Sequence, residues 1–184
     1  RRPTGWRVGA DGMGSVAVTD DAIRDILLTT RHIAVVGASD RPDRPSHGVM
    51  RFLQGQGYRV LPVNPQITGE HVHGEYVWRE LSQIGEPIDM VDIFRRSEEA
   101  GAVVDEAIAA GAKVVWMQLG VRNFEAARLA EAAGLKVVMN RCPKIEYGRL
   151  SGEIGWAGIN TGRLTSTRPT LAPRGVQNQT LGKT

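Results

Sequence analysis

"VVGASDRPDRPS", residues 35–46, is the stretch on which the fold turns. An apolar run ends at one glycine, passes two small residues, and enters a loop holding two prolines and two arginines. A β-strand that stops at a ligand has this pattern, and so does a plain surface turn. Read backward, "HIAVVGAS" is a short run rich in β-branched residues, the signature of a strand buried on both faces. Read forward, Ser46 stands where a helix cap belongs. Val49, Met50, Phe52 and Leu53 follow at helical spacing, and Gly55 and Gly57 close the run.

The alternation continues on both sides. Thr19 and Asp20 cap a helix carrying Ile23, Ile26 and Leu27. "YRVLPVNP" is a second strand, and Pro62 inside it points to a strand end or a sheet edge. "VWRELSQI" reads as a short helix and "DMVDIF" as a third strand. Ser97, Glu98 and Glu99 open a helix that Gly111 closes. "KVVWMQL" is a fourth strand, Asn123 caps an alanine-rich helix ending at Gly134, and "LKVVM" is a fifth strand before a helical turn through Ile145 and Tyr147. Strands alternating with helices imply parallel pairing and right-handed crossovers. The expected class is α/β: a Rossmann-like parallel sheet of about five strands with helices on both faces.

The 184 residues suit one domain with tails, and 41% hydrophobic against 23% charged residues permits a sizeable core. Residues 1–19 read as an N-terminal tail, with Met13 a candidate native start. Residues 20–150 form the domain, and 151–184 a Gly/Thr/Pro-rich C-terminal extension with no core of its own, the expected contact for a homo-oligomer. No apolar run reaches the roughly 18 residues of a membrane helix. A net charge of +3 is too weak a signal for nucleic acid. The single cysteine, Cys142, excludes an internal disulfide and a four-cysteine zinc site, so a cytoplasmic location is expected.

Ligands of such sheets bind beyond the carboxyl ends of the strands. Here those ends are Gly37-Ala38-Ser39, Asn64-Pro65, Phe94-Arg95-Arg96, Gln118-Leu119-Gly120 and Asn140-Arg141-Cys142. None of the five contains a carboxylate. Gly37 and Ala38 admit a ligand close to the backbone. The helix from Ser46 aims N–H groups at an anion, and Arg41, Arg44, Arg95, Arg96 and Arg141 suit phosphate. The expected ligand is polyanionic and nucleotide-like. An ordinary dinucleotide site is disfavoured: only the first glycine of G-x-G-x-x-G is present, and no acid follows the second strand until Glu70. The phosphate loop of ATPases is absent too.

The segments "VGASDRPDRPSHGVMRFL", "GYRVLPVNP", "DMVDIFRRS", "WMQLGV" and "NRCPKIEYGRL" resemble, in order and spacing, the small bacterial CoA-binding proteins, which are similar to the nucleotide-binding domain of the succinyl-CoA synthetase alpha subunit. The resemblance covers roughly residues 20–150. It implies that coenzyme A, free or as an acyl-CoA, lays its diphosphate along Gly37, Ala38 and Ser39 and the segment through Arg44, Pro45 and Ser46. The adenosine end would lie near Val63, Asn64, Pro65, Phe94 and Arg95, with Arg96 a further phosphate candidate. The pantetheine arm would pass Gln118 and Gly120. Where the family commonly carries aspartate before Arg141, this chain has Asn140. The synthetase's phosphorylated histidine, in a second domain, has no counterpart among His32, His47, His71 and His73, so binding without catalysis is expected. The alternative is an NAD(P)-dependent oxidoreductase or NAD(P)-binding regulatory protein.

Several residues carry two readings. His71 and His73 share a face if extended, but lack a third metal ligand. His47, at a helix start beside the loop, reads as exposed. Asp92, in a strand meant to be buried, reads as a paired structural carboxylate. Cys142 reads as a buried small hydrophobe, with a mixed disulfide to the CoA thiol as the alternative. Trp78 and Trp116 read as core.

Overall fold

The computed structural model describes residues 6–8 and 16–152. Two short strands, β1 (Trp6–Val8) and β2 (Val16–Val18), pair antiparallel within the stretch expected to be tail. Helix α1 (Asp20–Thr29) follows, its Thr19 hydroxyl accepting from the Ala22 N–H as expected of a cap. Then come β3 (His32–Val36), α2 (Pro45–Gly55) and β4 (Arg59–Val63). A small hairpin, β5 (His71–Val72) and β6 (Glu75–Tyr76), precedes β7 (Met90–Ile93). The chain continues through α3 (Ala100–Ala109), β8 (Val114–Met117), α4 (Phe124–Ala132), β9 (Lys136–Val138) and α5 (Pro143–Arg149). The expected extension beyond residue 152 lies outside the described residues.

Five strands form one parallel sheet in the order β4-β3-β7-β8-β9. The chain steps outward from β3 to β4, then returns to the other side of β3. That reversal puts the switch in strand order between β3 and β7, where a crevice opens. Successive side chains along each strand pack into alternate faces of the sheet. Ile33 and Val35 pack with Val60, Met90 and Trp116 under α1, α2 and α5. Ala34 and Val36 pack with Leu61, Val91, Val115 and Met117 under α3 and α4. Both faces are covered, which is why these strands are apolar without alternation.

Pro62 sits on the edge strand β4, as its presence implied. Its carbonyl points outward and accepts from the Trp78 N–H at 2.9 Å. Its ring nitrogen faces the same way, where no ladder bond is required. Two local expectations need correcting. "VWRELSQI" makes only a single 3-10 turn at Leu81–Gln83, because Gly85 and Pro87 stop it before a helix can propagate. Ser46 is not the cap of α2. Pro45 takes the first helical position, which suits its fixed φ and missing N–H, so Arg44 becomes the cap residue, without a side-chain cap bond.

Candidate functional site

The glycine that ends β3 is required by its neighbours. Gly37 has φ +90°, and a Cβ there would overlap the carbonyl oxygen of Phe94. The loops after β3 and β7 therefore touch at the switch point. The Gly37 N–H donates to the Val63 carbonyl at 3.0 Å, and the Phe94 N–H donates to Val36 at 2.8 Å. Asn64 closes the loop from the other side. Its Nδ2 donates to the Ala38 carbonyl at 2.8 Å, and its Oδ1 accepts from the Gln66 N–H at 2.8 Å. Both ends of that amide are engaged in shaping the loop.

A cavity of about 720 Å3 opens beside this junction, at the carboxyl ends of the strands. Arg44 and Pro45 at the start of α2, Phe94 and Arg95 after β7, and Gln118 after β8 all line it. Lys144 and Cys142 complete it from the start of α5. Three cations thus ring an interior that includes Val49, Leu119, Val121 and Ile145. Arg44 forms no ion pair among the described residues and is exposed. Leu119 and Ile145 stand more than half exposed at the rim, at 57% and 55%. A cationic rim over an apolar wall suits a ligand with phosphates at one end and an uncharged arm at the other.

The site has one acid on its rim and another beneath its floor. Asp43 lines the cavity, but Arg41 neutralises it through contacts of 3.0 and 3.2 Å. Asp92 lies below, fully buried. Its carboxyl accepts from Gln118 Nε2 at 3.1 Å to each oxygen. The expected partner is thus a neutral amide and not a cation. Burial pushes the Asp92 carboxyl up to about 8, and the amide offsets this only in part. Burial likewise holds the Cys142 thiol above its ordinary range, with the Ile145 and Lys144 N–H groups pulling it back. The buried reading of Cys142 stands, yet it lines the cavity wall.

Of the residues singled out from sequence, Arg44, Pro45, Phe94, Arg95 and Gln118 come together around the cavity. Gly37, Ala38 and Asn64 shape the loop behind it. Ser39 turns that loop, its Oγ accepting from the Arg41 N–H at 3.1 Å. Ser46 and Val63 are buried, and Pro65 is exposed beyond β4. Arg96 does not line the cavity. It lies near Glu98 and Glu99, at 3.8 and 3.7 Å. Gly120, with φ +84°, donates its N–H to Asn140 Oδ1 at 2.8 Å, so Asn140 holds the turn over the cavity.

Lys144 was not foreseen. Its position next to Pro143, at the opening of a helix after the last strand, was the available signal. His71 and His73 do not share a strand face: His73 (φ 52°) and Gly74 (φ 78°) make the positive-φ turn between β5 and β6. The His73 ring instead lies against that of His47, tilted by 50° with centroids 4.0 Å apart. His47 is half-buried, and burial lowers its pKa. Among the described residues no three His, Cys, Asp or Glu converge as a metal site, and no helix is long and apolar enough to cross a membrane.

A parallel sheet covered by helices on both faces, with a cationic cavity at its switch point, defines an α/β domain of the Rossmann-like class. The chain belongs to the CoA-binding domain family, whose model matches residues 31–148. It is 42% identical over 125 residues to the uncharacterized protein YneT of Bacillus subtilis, covering 68% of this chain and 91% of that one. A solved structure of a hypothetical protein from Pyrococcus horikoshii is 42% identical with a TM-score of 0.71, covering 74% of this chain and 94% of that one. The apo dinucleotide forming acetyl-coenzyme A synthetase 1 of Ca. Korarchaeum cryptofilum is 26% identical with a TM-score of 0.54, covering 63% of this chain but only 27% of its own.

Proposed function

We propose that this chain binds coenzyme A or an acyl-CoA non-covalently, with no chemistry by its own residues. The observation that carries the reading is the cavity of about 720 Å3 whose rim holds Arg44, Arg95 and Lys144 and whose wall is apolar. Phosphates pair with the guanidinium and ammonium groups and with the N–H groups at the start of α2. The pantetheine arm runs past Gln118 toward Cys142. The glycine loop brings the β3 and β7 ends close enough for one ligand to touch both.

Calorimetric titration of the full chain with CoA, acetyl-CoA, 3′-dephospho-CoA, NADP and ATP tests the reading. CoA and acetyl-CoA are expected to bind at micromolar or better affinity, and to raise the melting temperature accordingly. Loss of the 3′-phosphate is expected to weaken binding about tenfold. Binding of NADP with none of CoA would replace this reading by the oxidoreductase one.

A further inference from the structure

Among the described residues, Asp92 has no charged side chain to pair with. On its own sheet its neighbours in register are Val35 of β3 and Trp116 of β8. From the segment leading into α5, Cys142 is the titratable group that faces it, and that thiol stays neutral at ordinary pH. Gln118 is its polar side-chain partner. A fully buried carboxyl with no cation is favoured in its neutral form. Neutral, it carries an O–H donor that needs an acceptor. The amide oxygen of Gln118 supplies one after a half turn about the last side-chain bond. In the arrangement seen, Nε2 faces the carboxyl, the pairing that suits the ionised form. Gln118 is itself only 5% exposed and is one of the residues lining the cavity. Its side chain also bonds the Cys142 thiol, which lines the same cavity, so the amide stands between the buried carboxyl and the cavity wall.

We propose that Gln118, oriented by Asp92, forms a carbonyl-binding subsite on the cavity floor: the Asp92 O–H donates to Gln118 Oε1, and the Gln118 N–H groups turn to the cavity and donate to an amide or thioester carbonyl of the bound arm. This rests on the proposed CoA-type ligand. Asp92 is a positioning residue, and Gln118 makes the contact. Removing the Asp92 proton turns the amide back and presents an oxygen, which repels a carbonyl. One buried proton thus sets whether the floor donates or accepts.

Two measurements on the full chain test this. In ligand-free protein, the 13C signal of the Asp92 carboxyl is followed by NMR from pH 4 to 10 with the Gln118 side-chain 15N signal. Both are expected to move together, with a midpoint well above the ordinary carboxylate range. An Asp92 midpoint below pH 5, or a Gln118 signal that does not follow it, overturns the proposal. Acetyl-CoA and CoA are then titrated calorimetrically at pH 6.5 and 9.5 into the native chain and into Asp92→Asn, whose amide donates to Gln118 at every pH.

The native chain is expected to lose about fivefold in affinity at the higher pH, the worth of one neutral hydrogen bond, and Asp92→Asn to lose none of that increment. Parallel pH profiles for the two proteins overturn the proposal. A loss confined to acetyl-CoA assigns the thioester carbonyl, and a loss shared by CoA assigns an amide of the arm. If the NMR signals titrate together but neither compound binds either protein, the CoA reading fails while the Asp92–Gln118 coupling stands.

Discussion

Asp89, just before β7, and Asp92, the third of its four residues, stand three residues apart, and their surroundings treat them in opposite ways. Asp89 is at the amino end of the sheet. Partial burial raises its pKa, but the N–H groups of His32 and Arg31, at 2.9 and 3.0 Å, and the Lys113 ammonium more than offset that, so the net shift is downward. Asp92, toward the cavity, has one neutral amide and is raised. Asp89 ties β3, β7 and the start of β8 together as a permanent anion. Asp92 contributes a proton-dependent strain beneath the cavity. The amino end of this sheet is built for stability, and the carboxyl end gives some of it up to hold a site.

The largest test of that contrast is Gly37→Ala. The new Cβ meets the Phe94 carbonyl at a φ that L residues rarely adopt, so a loss of about 3 kcal/mol or more is expected in chemical denaturation, with CoA binding lost. A well-folded variant that binds CoA normally would show that the two loops need not touch.

Asp92→Asn should act in the other direction. Between about pH 4 and 8 the native state keeps a proton that the unfolded chain has released, so native stability falls as pH rises through that window. The variant should match the native chain near pH 4 and become steadily the more stable of the two as pH rises to 8, by up to several kcal/mol, read by denaturation at each pH. Equal pH dependence would place Asp92 in the same class as Asp89.

Asp89→Asn should cost roughly 2 kcal/mol at pH 7, since the two N–H groups that share one carboxylate oxygen keep only a neutral acceptor and the Lys113 ammonium loses its own. Its sign is the reverse. The Asp89 contribution is present above the unfolded carboxyl range and disappears as pH falls through the lowered native value, so the variant and native curves should converge in acid. The smallest effect distinguishes the ends by ligand. Arg44→Ala should weaken CoA about tenfold in calorimetry with little change in melting temperature. Lys113→Ala, at the far end of the sheet, should leave CoA affinity within about twofold.

Much of the architecture could be read from one dimension. The β-branched runs "HIAVV" and "KVV", the caps Thr19 and Asn123, and Gly111 and Gly134, both at positive φ, are local signals, and each falls where the pattern put it. Alternating elements left little choice but a parallel sheet, since a strand buried on both faces must be covered on both. That Arg44, Phe94, Arg95 and Gln118 meet around one cavity was legible because strand ends converge by topology alone. The hairpin of β5 and β6 was missed, because two-residue strands leave no periodicity to detect.

Other features needed the folded chain. That Asp92 meets an amide and no cation depends on the register of β7 against β8 and on a loop 26 residues away. That Gly37 cannot bear a side chain depends on where Phe94 arrives from across the switch point. Local composition sets which backbone forms are cheap. Which charges end up without water or a partner is a property of distances between segments remote in the chain, and no window of sequence contains those distances.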